Sequence, residues 1–240
     1  MERSGELPAR VNKRLVELQA EYGLSEENLD QFRSILLSLA GEHAPTAVTD
    51  ALEGINVHIA DSLTALGLED VKNAKTIADL GSGCGIPGLV LASALPESRV
   101  IAVDAQKRRC EFISNAAEAA GLKNVETVWS RAEEWDAGHG ICDLVTARAM
   151  ASLPVLVEYS SSLLREGGLM VAWKGKLEGD EKAQGAVAAE LTGMSEPEVI
   201  QVEPWRGGGR RKLVLSRKIA PTPDRFPRRA GIAVKRPLGS

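Results

Sequence analysis

The stretch Ile77-Ala78-Asp79-Leu80-Gly81-Ser82-Gly83-Cys84-Gly85-Ile86-Pro87-Gly88 constrains the fold more than any other part of the chain. Thr76 to Leu80 reads as a short buried strand running into a glycine-rich turn and then a helix. Glycines spaced two apart let backbone approach a ligand where a Cβ would collide. Pro87 suits the first helical turn, where its missing N–H would be unpaired anyway. The next apolar run, Arg99 to Val103, ends in Asp104. Strand, glycine turn, helix, strand and terminal acid predict a Rossmann-like nucleotide site, with Asp104 placed to hold a ribose diol.

Gly83 to Gly88 satisfies GxGxxG, so a dinucleotide has to be weighed. In that fingerprint the first glycine closes the strand and a pyrophosphate rests on the helix N-terminus. Here the turn begins earlier, at Gly81, and Asp79 stands two residues before it. A carboxylate aimed into the turn repels a pyrophosphate but suits the ammonium of an amino-acid moiety. The combination resembles motif I of class I S-adenosylmethionine-dependent methyltransferases and favours a methyl donor over NAD.

At 240 residues the chain fits one large domain, or one domain with an added helical piece. No apolar run approaches a membrane span, and Met1-Glu2-Arg3-Ser4 is not the start of a signal peptide. Cys84, Cys110 and Cys142 are scattered singly, which favours a reducing cytoplasm over a disulfide framework. The three histidines are dispersed, and no metal is expected. The net charge of −4 hides an asymmetry: residues 206–240 hold eleven Lys or Arg and one acid, Asp224. A basic end on an otherwise acidic protein suggests a polyanionic partner; the alternative is a solvated tail.

Taken in order, residues 8–22 place Val11, Leu15, Leu18 and Tyr22 at helical spacing, and Gly23 stops them. Ser25 caps a second helix that turns Leu29, Phe32, Ile35, Leu36 and Leu39 inward. A looser stretch, His43 to Asn56, leads to a third helix from about Val57 to Leu66, with His58 and Asp61 on one face. Lys107-Arg108-Arg109 opens the helix after Asp104, three cations opposing the helix dipole. Val125 to Trp129 is the third strand, and the turn Ser130 to Glu134 should wall a cofactor's adenine. Ile141 to Thr146 is the fourth strand, followed by Arg148 at the edge where an acceptor would lie; its alternative is an ion pair with Asp143 or Glu133. Leu153 to Leu164 reads as helix, Glu166-Gly167-Gly168 as a tight turn and Leu169 to Trp173 as the fifth strand. A helix over 177–196 and two strands, Val199 to Val202 and Lys212 to Ser216, complete the pattern. The expected organisation is a helical cap at 1–70, a methyltransferase domain at 71–220 and a basic tail at 221–240.

Several of these pieces coincide with one family. They are His58-Ile-Ala-Asp-Ser-Leu63, Asp79 to Gly88, Ser130-Arg-Ala-Glu-Glu134, Arg148-Ala149 before Ser152-Leu153, Trp173-Lys174-Gly175, Arg211, and the tail Phe226 to Gly231 with Lys235 to Leu238. In their order they resemble the RsmG (GidB) family of small-subunit ribosomal RNA guanine-N7 methyltransferases. The resemblance runs from about residue 11 to residue 240. It implies an α/β, Rossmann-like class I methyltransferase fold: a seven-stranded, mostly parallel sheet with a terminal antiparallel hairpin and an N-terminal helical extension. It implies S-adenosyl-L-methionine as cofactor, and small-subunit (16S) ribosomal RNA or a 30S assembly particle as partner, without a membrane. A monomer is expected. By motif match Asp79, Gly81, Gly83, Gly85 and Ile86 would form the cofactor turn, Asp104 would hold the ribose, and Ala132 and Glu133 the adenine. Arg148 would lie beside the methyl donor, both as a cofactor-binding residue and as the catalytic group, and Arg108, Arg131, Lys174 and Arg211 would contact RNA. Lys212 departs from the family, in which a histidine is common before the final strand.

The inventory fits such chemistry. Guanine N7 has a free lone pair and no proton, so attack on a sulfonium methyl needs position and electrostatics, not a base. Strand four lacks the Asn-Pro-Pro-Tyr of exocyclic-amine methylation and the Pro-Cys of pyrimidine C5 attack. N7 of a paired guanine lies in the narrow groove of A-form RNA, so the target should be unpaired. The competing functions are a methyltransferase of another RNA, a small molecule or a protein, an NAD-dependent oxidoreductase, and a non-enzymatic RNA-binding module.

Overall fold

The computed structural model describes residues 7–177, 179–208 and 211–240. Met1 to Ser4, Glu178 within the stretch 177–196, and Gly209 and Arg210 in the connection of the last two strands lie outside the described residues.

Two amphipathic helices open the chain, α1 (Ala9–Tyr22) and α2 (Glu26–Leu39). Gly23, at φ 66°, ends the first in the left-handed conformation expected of a glycine stop. The predicted cap of α2 is present as a reciprocal pair: Ser25 Oγ accepts from the Asn28 N–H, and Asn28 Oδ1 accepts from the Ser25 N–H. Asn28 Nδ2 also donates to the Ser93 carbonyl at 2.7 Å, tying the cap to the sheet-flanking layer. Val11, Leu15, Leu18, Leu29, Phe32, Ile35 and Leu36 are all at most 1% exposed and share one core with the strand residues Ile77, Val100, Leu144 and Val171. The helical cap is therefore packed as part of one face of the sheet.

The next helical run begins earlier than its spacing suggests. Asp50 Oδ1 accepts from the Glu53 N–H and starts α3 (Ala51–Gly54) inside the stretch expected to be loose. A π-helical turn (Ile55–Ala60), α4 (Asp61–Leu63), a 3₁₀ turn (Thr64–Gly67) and α5 (Glu69–Asn73) follow. The remaining elements are β1 (Thr76–Leu80), α6 (Gly88–Ala94), β2 (Arg99–Asp104), α7 (Lys107–Ala119), β3 (Val125–Trp129), β4 (Cys142–Arg148), α8 (Leu153–Leu163), β5 (Leu164–Lys174), α9 (Glu181–Thr192), β6 (Glu198–Val202), β7 (Arg211–Arg217) and α10 (Ile232–Lys235). The helix expected over 177–196 is thus shorter, with Gly193 as its left-handed stop. Strand β5 starts at Leu164, ahead of the expected turn, and takes up the difference in a bulge opposite Cys142 and Leu144.

The sheet order is β3-β2-β1-β4-β5-β7-β6. Strands β1 to β5 run parallel, and β7 is antiparallel to both β5 and β6. Chain order reverses between β1 and β4, so the carboxyl ends of these strands bound the crevice where such sheets bind ligands. Asp143 helps set that register by accepting from the Lys75 and Thr76 N–H groups, each at 2.8 Å, while pairing with Arg165.

The basic segment 221–240 is not a solvated tail. Arg228 forks onto Glu158 of α8, with Nη2–Oε2 at 2.6 Å and Nε–Oε1 at 3.0 Å, and Glu158 is fully buried. Phe226 and Ala233 are buried beneath it, and the Gly231 N–H donates to Glu133. Arg225, Arg229, Lys235 and Arg236 remain exposed. Removing the cation would strand a desolvated carboxylate, so Arg228→Ala is expected to destabilise the protein by about 3 kcal/mol. Urea unfolding checks the loss, and faster proteolysis after residue 220 checks that the segment has come free.

Candidate functional site

Two cavities open side by side at the carboxyl edge of the sheet. The first, of about 200 Å³, lies over β1 and β2 and is lined by Gly81, Val103, Asp104, Ala105, Gln106, Arg109, Ser130, Arg131, Ala132, Glu133, Met150, Ala151, Tyr159 and Val234. The second, of about 400 Å³, lies over β4, β5 and β7 and is lined by Thr46, Ala47, Val48, Val57, His58, Asp61, Arg148, Ala149, Trp173, Lys174, Gly175, Arg211 and Lys212. The segment Arg148–Ala151 walls both: Arg148 and Ala149 face one cavity, Met150 and Ala151 the other. Ala149 has φ 53°, the only positive value at a non-glycine among the described residues, and this left-handed residue turns the chain from one wall to the other.

The glycine turn is built from the inside. Asp79 is 1% exposed; its Oδ1 accepts from the Thr146 hydroxyl at 2.9 Å and its Oδ2 from the Gly88 N–H at 3.2 Å. A Cβ at position 88 would come within 2.9 Å of that oxygen, so only glycine fits there. Asp79 therefore braces the turn from below and does not line the first cavity, contrary to a carboxylate aimed into it. Burial pushes its pKa up to about 6 against the hydrogen bonds from Thr146, Ser82 and Gly88. Gly81, at φ 59°, is the one residue of the turn that lines the cavity, where Met150 packs 2.6 Å from the place a Cβ would occupy. Gly83, Gly85 and Ile86 form the turn behind it.

Asp104 lies as expected at the end of β2. Its Oδ2 accepts from the Gly83 N–H at 3.0 Å and its Oδ1 from the Gln106 N–H at 2.9 Å, with Arg109 at 3.4 Å. An ionised carboxylate offers about four lone pairs, so acceptor capacity remains for a ligand hydroxyl. Ala132 is buried in the wall, whereas the Glu133 carboxylate accepts from Gly231 and from Tyr159, whose hydroxyl is held above its ordinary range by burial and by Glu133. Arg131 sits on the rim. Backbone glycine, a partly free acid on β2 and the apolar walls of Val103, Ala132 and Met150 suit the amino-acid, ribose and adenine parts of S-adenosylmethionine respectively.

In the second cavity Arg148 is held on three sides. It donates to the Val57 carbonyl at 2.6 Å and to His58 Nδ1 at 3.0 Å, and lies 3.5 Å from Asp61 Oδ2. The ion pair is thus with Asp61, neither with Asp143, which pairs with Arg165, nor with Glu133. A guanidinium can only donate, so Nδ1 of His58 accepts and its proton sits on Nε2, facing the Thr46 hydroxyl at 3.4 Å. Burial and the adjacent Arg148 cation push the His58 pKa down to about 4, which keeps the ring neutral. Burial also raises the Asp61 carboxyl, opposed by Arg148 and Arg211. Asp61 Oδ1 and Arg211 Nε are buried without a partner at this cavity. Trp173 Nε1 donates to the Asp61 carbonyl at 2.9 Å, and Lys174 Nζ bonds the Ala151 carbonyl at 2.8 Å and Glu181 at 2.6 Å.

The structure brings Arg148, Lys174 and Arg211 together and places Arg131 at the neighbouring cleft. Arg108 is apart from both, exposed on α7. Met150 and Thr46 were not singled out by sequence, since neither residue type nor spacing marks them. Among the described residues no group of three or more His, Cys, Asp or Glu converges as a metal site would require, and no helix is long and apolar enough to cross a membrane.

Sheet order, glycine turn and paired cavities define a class I S-adenosylmethionine-dependent methyltransferase. The fold matches a SAM-dependent O-methyltransferase from Thermotoga maritima (TM-score 0.54, 15% identity, covering 75% of this chain and 74% of that one). It also matches a predicted O-methyltransferase from Agrobacterium tumefaciens (TM-score 0.53, 19% identity, 68% and 80%). Residues 25–210 match the family model described as rRNA small subunit methyltransferase G. Relatives named ribosomal RNA small subunit methyltransferase G share 39% identity over 80% of this chain and 82% of their own in Symbiobacterium thermophilum, and 38% over 89% and 85% in Rubrobacter xylanophilus. The chain belongs to the rRNA small subunit methyltransferase G (GidB) family.

The buried carboxyl of Asp79 yields a pH test. Its folded pKa, about 6, lies above the ordinary 3.8, so its contribution to stability is complete below about pH 4 and is lost as pH rises through 6. In Asp79→Asn the amide oxygen can accept from Gly88 and the amide nitrogen can donate to Thr146. The variant's urea midpoint, relative to the parent, should rise between pH 4 and 6 and level off above; a difference flat with pH would refute the assignment.

Proposed function

We propose that the chain transfers a methyl group from S-adenosylmethionine to N7 of an unpaired guanine in small-subunit ribosomal RNA, in the cytoplasm. The observation that carries this reading is the shared wall Arg148–Ala151, which sets the cleft lined by Gly81, Asp104 and Ala132 beside a cavity of about 400 Å³ lined by Arg148, Lys174, Arg211 and Lys212. The donor cleft would use Gly81, Asp104, Ala132 and the backbone at Glu133, with Gly83, Gly85, Ile86 and Asp79 holding the turn. When bound, the cofactor supplies an electrophilic methyl on a sulfonium.

The chain's own part is placement and charge. Arg148, fixed by Val57, His58 and Asp61, would donate to O6 of the guanine, next to the reacting N7; arginine to the O6/N7 edge is a favoured pairing. Neutral His58 keeps a second positive charge away from a base that becomes cationic on methylation. Arg211 and Lys212 would meet phosphates flanking a base drawn out of its stack. Lys174, already paired with Glu181, would position Ala151 and so the shared wall, while Arg131 and Arg108 would serve the RNA outside the cavity.

Labelled S-adenosylmethionine offered with assembled small subunits, naked small-subunit RNA or bulk protein tests the proposal. Label in RNA that maps to a single N7-methylguanine supports it, and label confined to protein or metabolites rejects it. Arg148→Ala should cut kcat on the RNA by about 100-fold with little change in cofactor affinity. Unaltered turnover would remove Arg148 from its role.

A further inference from the structure

Of three Phe, four Trp and two Tyr, Trp129 alone is exposed, at 63%. It ends β3, the edge strand, immediately before Ser130 and Arg131 of the donor cleft. An indole left in water loses the burial that usually stabilises it. Yet this one is not loose: Nε1 donates to the Ala105 carbonyl at 3.1 Å, and Lys107 Nζ stands 5.8 Å from the ring centroid.

Three exposed cations lie close to it in the chain or fold, Lys107 and Arg108 at the start of α7 and Arg131 two residues after Trp129, and they are weakly engaged. Lys107 is 3.6 Å from Glu111 and Arg131 3.8 Å from Glu134, both exposed pairs of little strength. Arg108 is exposed and, among the described residues, meets no carboxylate. Lys107 and Arg108 open α7, where a cation opposes the helix dipole, and of the three cations there only Arg109 is matched by a buried carboxylate, Asp104. A held aromatic face beside exposed cations is what single-stranded nucleic acid requires: a surface for stacking and charge for phosphates.

We infer that Trp129 is a stacking platform for an unpaired base of the RNA substrate, with Lys107, Arg108 and Arg131 meeting the adjoining phosphates. The inference rests on the RNA reading above and adds a contact outside both cavities. Stacking is nearly independent of salt, whereas phosphate contacts release counterions, so the two contributions separate experimentally.

The test is equilibrium binding of a fluorescent single-stranded RNA of about ten nucleotides over a range of salt. Trp129→Ala is expected to raise Kd about tenfold with the salt slope unchanged, and Trp129→Phe to recover most of the loss. Lys107→Gln with Arg108→Gln should instead flatten the slope. Cofactor affinity and thermal midpoint should not move in Trp129→Ala. Parental RNA affinity in Trp129→Ala, or a parallel fall in cofactor affinity, overturns the platform. If the parent methylates small-subunit RNA while Trp129→Ala matches it in binding, the platform alone falls; if the parent neither binds nor methylates RNA, the functional reading falls with it.

Discussion

The guanidinium of Arg148 is the contact on which the arrangement of the second cavity depends. It leaves the end of β4 and takes a carbonyl, a ring nitrogen and a carboxylate from the helical run that precedes the sheet. Those partners are Val57, His58 and Asp61, so the π-helical turn and α4 cannot shift without breaking a part-buried, charge-assisted set of bonds. Trp173 adds a bond to the same segment from β5. The N-terminal helices thereby become one side of the second cavity.

The other buried charges follow the same rule, that a desolvated ion must be bonded or neutral. Glu158 is matched by Arg228, and Asp79 moves toward its neutral form inside a net of hydrogen bonds. Lys218, 4% exposed, has its pKa pushed down to about 8 by burial and donates to the Thr192 carbonyl at the end of α9. The pairings of Glu158 with Arg228 and of Lys218 with Thr192 join segments 70 and 26 positions apart, so these polar contacts help fix how the outer segments seat on the apolar core.

Much of this was legible in the sequence, for reasons that can be named. The strand-turn-helix at Thr76 to Gly88 and the acid ending β2 depend on local pattern, and both formed where expected. Ser25 capped α2 because its partner, Asn28, lies within the same turn. The start of α3 was missed because its cap, Asp50, lies in a stretch poor in apolar periodicity. The direction of Asp79 could not be read, since it depends on Thr146 in β4 and on Gly88, which meet only once the sheet is assembled. Arg148 and Asp61 stand 87 positions apart, and Arg228 and Glu158 stand 70 apart. Composition counted those cations but could not distinguish a docked residue from a solvated one, and so it left the basic end open between a surface for a polyanion and a solvated tail.

The common wall between the cavities has a thermodynamic corollary. Met150 packs against Gly81 on one side, while Arg148 is fastened to the helical run on the other, with a single left-handed residue between them. An occupant that displaced Met150 would press on the same four residues that carry Arg148, and the reverse holds. Linkage makes that influence equal in both directions: whatever factor one ligand imposes on the affinity of the other is imposed back upon itself. Were the two cavities to take donor and acceptor, any coupling between those binding events would run through these four residues.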